Sequence, residues 1–172
     1  MESFIATVNS NDQILDSKPK TEVHRKGLLH RAFSIFVFNS RGEVLLHQRS
    51  IGKYHSPGLW TNTCCSHLPE NLSMEETIHQ RLEEEMGFDT ELNFVGKFHY
   101  QVNFDNGLAE NEIDHIYIGF YNNNPKPNPT EVASYKWVLL NDLIQDVEQN
   151  PNNYTYWLKH ILENYISLLS VR

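Results

Sequence analysis

Along His30–Asn39, Phe33, Ile35 and Val37 alternate with Ser34, Phe36 and Phe38. Large side chains in both registers predict a strand covered on both faces. Asn39-Ser-Arg-Gly42 is turn chemistry, so Glu43–Arg49 is expected to return as the partner of a hairpin. Before it, Phe4–Val8 reads as a short first strand ended by Asn9–Asp12, and Lys18–Gly27 as a polar helical stretch that Gly27 can stop. Ser50–Leu72, punctuated by Gly52, Pro57, Gly58 and Pro69, has loop character. Ser73 opens a helix through an S-x-x-E capping box with Glu76. Met74, Ile78, Leu82 and Met86 form its apolar stripe, and Gly87 ends it. Phe94–Phe104 and Leu108–Tyr121 flank Asp105-Asn-Gly107, a strong hairpin signal. After Asn122–Asn124 and the prolines at 125, 127 and 129, Tyr135–Leu140 predicts a strand and Asn141 the cap of a short helix. Pro151 then interrupts, and Tyr154–Leu169 predicts a final amphipathic helix. Hairpins mixed with helices, without regular βαβ units, imply an α+β sandwich with a mixed β-sheet.

The 172 residues are 40% apolar and 12% aromatic, enough for one core, and the expectation is a single domain over 1–172. No stretch approaches the roughly 18 apolar residues of a membrane span, and Met1–Asp12 lacks the basic and apolar regions of a secretion signal. With 14 Lys plus Arg against 22 Asp plus Glu, the net charge is −8, which argues against non-specific nucleic-acid binding. Cys64 and Cys65 are adjacent, and a bond between neighbours would close a strained ring, so free thiols and a cytoplasmic location are expected.

Three of the nine histidines stand out. His24 and His30 flank the start of the first long strand, and His67 follows Cys65 by two. Glu110-Asn-Glu112 places two carboxylates on one face of a strand, where both could reach one cation. Three imidazoles with two carboxylates suit Zn, Mn or Fe(II) rather than Ca. A histidine beside a strand is more often a surface or satisfied core residue, and an E-x-E on a strand is more often a solvated face. His47, His55, His79, His99, His115 and His160 receive no functional role.

In Trp60-Thr-Asn-Thr-Cys-Cys-Ser-His67, Cys65 could be a proton donor or a nucleophile, against the commoner fate of a buried inert thiol. Adjacent cysteines in extended chain point opposite ways, so at most one faces a site. On the Ser73 helix, Arg81 and Glu85 lie four apart. The plain reading is an ion pair on a solvated face. The sharper one is a diphosphate site, with Glu85 on Mg²⁺ and Arg81, Lys20, Arg49 and Lys53 on the phosphate oxygens.

His24–Phe38, Pro57–His67, Arg81–Gly87, Tyr100, Glu110-Asn-Glu112 and Tyr156-Trp157 together resemble the type I isopentenyl-diphosphate Δ-isomerases of the Nudix-fold superfamily, in order over nearly the whole chain. The resemblance implies a Nudix-like α/β/α sandwich. It implies conversion of isopentenyl to dimethylallyl diphosphate through a tertiary carbocation. Cys65 then matches the catalytic thiol, Glu112 the acid/base on the other face of the substrate, and Tyr100 its neighbour. His24, His30, His67, Glu110 and Glu112 match ligands of one divalent metal (Mn²⁺ or Zn²⁺), and Glu85 the carboxylate holding Mg²⁺ on the diphosphate. Lys20, Arg49, Lys53 and Arg81 match diphosphate contacts, and Trp157 the indole at the hydrocarbon end. A small diphosphate is the expected partner, with no nucleic acid or membrane, in a monomer or weak homodimer.

The hydrolase form of the helix, R-E-x-x-E-E-x-G, is not preserved. Aligned on Gly87, Arg81 stands where its first Glu belongs, and Ser66 and Leu72 replace the opening Gly and next Glu of the wider box. Such a site is poorly equipped to hold several Mg²⁺ ions and activate water. The competing functions are a Nudix pyrophosphatase acting on a nucleoside diphosphate derivative, and a non-catalytic metal- or ligand-binding domain.

Overall fold

The computed structural model describes residues 1–170. Among the described residues nine strands form one mixed sheet, in the order β2 (Ile14–Pro19), β1 (Phe4–Val8), β3 (His30–Phe38), β4 (Glu43–Arg49) and β5 (Trp60–Thr61), with further strands branching from β3 and β4. The long strand β3 (His30–Phe38) is central. It runs parallel to β8 (Ala109–Phe120) from His30↔Glu112 to Phe38↔Phe120, and antiparallel to β6 (Cys64–His67). The Asp105-Asn-Gly107 turn joins β7 (Leu92–Asn103) to β8 in a long hairpin, with Gly107 at φ 81°.

Both faces of β3 are covered, as its sequence implies. Phe33, Ile35 and Val37 pack under α2 (Met74–Met86), whose Ile78, Leu82 and Met86 are fully buried. Each such side chain contributes about 1.5–3 kcal/mol. Phe36 and Phe38 pack under α4 (Tyr156–Asn164), against Trp157, Leu158 and Ile161. The face of Phe36 continues through Ser34 and Ala32 to His30, passing from core to polar cavity along one strand.

The ends of α2 follow the sequence closely. Ser73 and Glu76 make the reciprocal capping box, and Gly87 closes the helix at φ 73°. A Cβ on Gly87 would lie 2.2 Å from the Lys126 carbonyl oxygen, so glycine is required for space as well as conformation.

Several expectations need correction. The β3–β4 hairpin exists as one pair, Phe38↔Val44; β4 (Glu43–Arg49) then leaves to pair with β9 (Val132–Leu139). Ser50–Leu72 is not all loop: β5 (Trp60–Thr61) and β6 lie within it. The N-terminal polar stretch splits into β2 (Ile14–Pro19), paired with β1 (Phe4–Val8), and α1 (Lys20–Lys26). Asn141 lies inside α3 (Leu140–Gln149), whose cap is Leu139. The last helix breaks at Tyr165 into a 3-10 turn, Ile166–Leu169.

The turn between β1 and β2 is anchored by one residue. Asp12, at φ 60°, accepts hydrogen bonds from Arg31 Nε (2.9 Å) and Lys97 Nζ (2.7 Å), with His115 Nε2 at 2.9 Å. Burial pushes its carboxyl up, but the bonds from Lys97 and Arg31 and the charge beside it outweigh this and hold it below the usual carboxylate range. A depressed folded pKa gives stability that is complete above the unfolded value and lost as pH falls through the folded one. Asp12→Asn should therefore lower unfolding stability by about 1–2 kcal/mol at pH 7, and the gap to wild type should close below about pH 4, in chemical denaturation followed across pH.

Candidate active site

Parallel pairing with β3 delivers β8 to the site with Glu110, Glu112 and Asp114 on one face, because every second residue projects the same way. All three are buried. Asp114 was missed, although the period that pairs Glu110 with Glu112 reaches it too. It accepts from Ser34 Oγ at 2.8 Å, and burial with its two carboxylate neighbours raises it well above an ordinary aspartate.

Around Glu110 stand four imidazoles from four parts of the chain: His24 of α1, His30 of β3, His67 of β6 and His55 of the β4–β5 connection. Ligand atoms of His24, His30, His67 and Glu110 all lie within 4.8 Å of one another, and all four residues are buried. His24 Nδ1 lies 2.7 Å from the Lys20 carbonyl and His30 Nδ1 2.8 Å from that of Leu28. Donation of Nδ1–H to these acceptors turns an Nε2 lone pair inward in both rings. Both Nε2 atoms and Glu110 Oε2 are buried without a hydrogen-bond partner. Inward lone pairs beside an orphaned carboxylate oxygen are a donor set that fits a divalent ion.

Electrostatics agree. Burial opposes charge on Glu110, yet the surrounding imidazoles of His24, His30, His55 and His67 hold it well below the usual range. Burial likewise disfavours a charged His30, but Glu110 and Glu112 prevail and raise it to about 10. The carboxylate pair demands positive charge here, which a divalent cation supplies more fully than a proton. Glu112 completes the cluster: its Oε1 is 3.1 Å from His67 Nε2 and 3.4 Å from His30 Nε2, and its Oε2 accepts from the Tyr100 hydroxyl at 2.8 Å.

A cavity of about 370 Å³ opens in front of this cluster. Cys65, Tyr100, Glu112 and Trp157 line it together with Lys20, Arg49, Lys53, Arg81 and Glu85. Cys65 and His67 share a face of β6, while Cys64 points the other way, fully buried under α2. Burial pushes the Cys65 thiol up to about 12, although Arg49 draws it down. Arg49 also lies 5.3 Å from the Trp157 ring, and Lys20 Nζ 4.3 Å from that of Tyr54.

The Arg81–Glu85 ion pair exists, at 2.5 Å, but it is not on a solvated face: Glu85 is buried, and Arg81 also reaches Glu84 at 2.7 Å. Glu131, which no sequence signal marked, pairs with Lys53 and lies 3.9 Å from Arg81. His24 and His30 do not line the cavity; they stand behind Glu110. Asn111, between the two glutamates, donates to the Gly27 carbonyl at 3.0 Å and so ties the end of α1 to β8.

The NUDIX domain profile matches residues 28–159. Isopentenyl-diphosphate Delta-isomerase of Serratia proteamaculans is 43% identical over 164 residues, covering 95% of this chain and 92% of the relative. Isopentenyl-diphosphate Delta-isomerase 2 of Photorhabdus laumondii is 44% identical over 162 residues, covering 94% and 92%. The chain belongs to the isopentenyl-diphosphate Delta-isomerase family. Its backbone is similar to solved structures of much lower identity: DR0079 of Deinococcus radiodurans superposes with a TM-score of 0.77 at 14% identity, covering 94% of this chain and 99% of that one. The MutT protein of Methanosarcina mazei gives 0.67 at 16% identity, covering 83% and 96%. The isomerase relatives share sequence over nearly the whole of this chain. Among the described residues, no helix is long and apolar enough to cross a membrane.

If the imidazoles and Glu110 form one metal site, His67→Ala and His30→Ala should each lose the tightly held ion while keeping the fold. Metal analysis after dialysis, beside circular dichroism, checks this.

Proposed function

We infer that this chain isomerises isopentenyl diphosphate to dimethylallyl diphosphate, and that Cys65 and Glu112 carry the two proton transfers. The observation that supports this best is one cavity lined by the half-buried Cys65 thiol, a buried carboxylate beside an imidazole cluster, an indole and four cations.

The reaction adds a proton at the terminal alkene carbon and removes one from the carbon next to the oxygen-bearing one. An unactivated alkene needs a strong acid, and the other step needs a base. A carboxylic acid is the stronger acid of this pair. With its thiol raised to about 12, Cys65 as thiolate is the stronger base. Glu112 is accordingly read as the donor and Cys65 as the acceptor, with the roles exchanged in reverse. Turnover needs a single proton shared by the pair, and burial rests it on sulfur. Its passage to Glu112 precedes chemistry, helped by Arg49, which favours the thiolate.

Tyr100 holds Glu112 Oε2 and fixes the direction of the carboxyl. Trp157 faces the developing cation with its π-surface, worth about 2 kcal/mol when desolvated. Ile5, Phe33, Leu72 and Trp157 supply the apolar part of the lining, against water that would trap the carbocation. Lys20, Arg49, Lys53 and Arg81 grip the diphosphate, with Glu85 placed to hold Mg²⁺ against it. His24, His30, His67, Glu110 and Glu112 would hold Mn²⁺ or Zn²⁺, which when bound adds the positive charge that orients Glu112 and strengthens its acidity.

Incubation with isopentenyl diphosphate in D₂O should give the dimethylallyl isomer with deuterium in the carbon chain and no released phosphate. Phosphate release without isomer would favour a pyrophosphatase, and neither product a binding domain. Cys65→Ala and Glu112→Gln should each lose about 10²–10⁴-fold or more in kcat while diphosphate binding survives. Cys64→Ala should stay near wild type. Because burial keeps Cys65 protonated, its alkylation by iodoacetamide at pH 8 should run at least about tenfold slower than that of a free cysteine, followed by mass spectrometry.

A further inference from the structure

Beyond the residues matched to the isomerase reaction, one buried side chain touches all three parts of the site. His55 lies in the connection between β4 and β5, only 3% exposed. Its Nε2 is 2.7 Å from Glu110 Oε1, nearer than His24 (3.2 Å) or His67 (3.7 Å) to the same oxygen. Its Nδ1 lies 3.3 Å from the hydroxyl of Ser56, which takes a left-handed φ of 50° beside it. Such a backbone costs a non-glycine residue roughly 1 kcal/mol and persists only where its surroundings impose it.

The ring is clamped on its other sides. It stacks on Phe104 at 4.7 Å and 11°, and meets the Trp157 indole edge to face at 5.7 Å and 83°. Its own carbonyl accepts from Arg49 Nη2 at 3.1 Å. These contacts leave the ring no freedom to swing away from Glu110.

We propose that His55 is a positioning residue: its Nε2–H ties down Glu110 Oε1, leaving Oε2 to face His30 at 3.2 Å, while its ring sets Trp157. The partnerless state of Oε2 follows from this division of labour. A carboxylate held at one oxygen presents the other at a fixed angle, so the ion it binds loses less freedom and is held more tightly. His55 thus joins the grip on the metal to the wall of the hydrocarbon pocket.

This inference rests on the isomerase reading only for its consequence in turnover; the metal measurement stands alone. The full-length protein loaded with Zn²⁺ is titrated with a chelating dye. H55F keeps a ring to stack on Phe104 but cannot donate, and its Zn²⁺ dissociation constant should rise about 10–100-fold. H55Q can still donate from its amide and should stay within about threefold of wild type. With the diphosphate cations intact, H55F should lower kcat more than it raises KM, and H55Q should recover most of the loss. Wild-type Zn²⁺ affinity in H55F, or an equal loss in H55Q, overturns the proposal. Should H55F fail to fold by circular dichroism, H55N, one methylene too short to reach Glu110, takes its place with the same two outcomes. Weaker Zn²⁺ binding in H55F, alongside a wild-type protein that makes no dimethylallyl product, would sink the isomerase reading and leave this one standing.

Discussion

A carboxylate buried among imidazoles is the constraint on which this molecule depends. Glu110 is charged in a place where water cannot stabilise it, and its ionised form survives because donors converge on it from α1, β3, β6 and the β4–β5 connection. Each donor arrives by a separate device. The αL turn at Gly27 and the Asn111 hydrogen bond place α1 against β8. Parallel pairing sets His30 beside Glu112, and antiparallel pairing sets His67 beside Ala32. The fold brings together what the chemistry needs charged, and a divalent ion satisfies the same demand.

The cations lining the cavity are balanced in the same way. Glu85 engages Arg81 and Glu131 engages Lys53, so in an acidic chain the positive groups are held in place by internal partners. This is a site made for gripping an anionic group, not for cutting it. Where the hydrolase pattern of the helix has its first glutamate, Arg81 adds positive charge, and several Mg²⁺ ions would lack ligands there. In the proposed reaction an intact diphosphate would be the handle by which the five-carbon chain is held against Cys65 and Glu112.

Apolar walls complete the picture. The face of β3 that carries His30, Ala32 and Ser34 at the site carries Phe36 and Phe38 in the core, and α4 supplies Trp157 from the same helix that buries Leu158 and Ile161. Packing in the core therefore sets the position of the indole at the site. In the proposed reaction the carbocation would meet the π-face of Trp157 before it loses a proton.

The sequence by itself determined whatever rests on local signals. Ser73, Glu76 and Gly87 mark both ends of α2, the Asp105-Asn-Gly107 turn sets the β7–β8 hairpin, and double-sided aromatics show β3 to be internal. Glu110 and Glu112 could be picked out because alternation alone puts i and i+2 on one face, and Cys65 and His67 because of their residue types in a segment that reads as loop. The tertiary structure decided what depends on partners distant in the chain. Strand β6 is four residues long, too short for a pattern of its own, and exists because β3 offers it an edge. The hairpin expected at Asn39–Gly42 opens after one pair because β6 takes that edge of β3 and β9 pairs along β4. His55, Asp114 and Glu131 acquire meaning only from what faces them: a histidine in a Gly/Pro-rich connection carries no periodicity, and burial beside a charge is a property of three-dimensional packing.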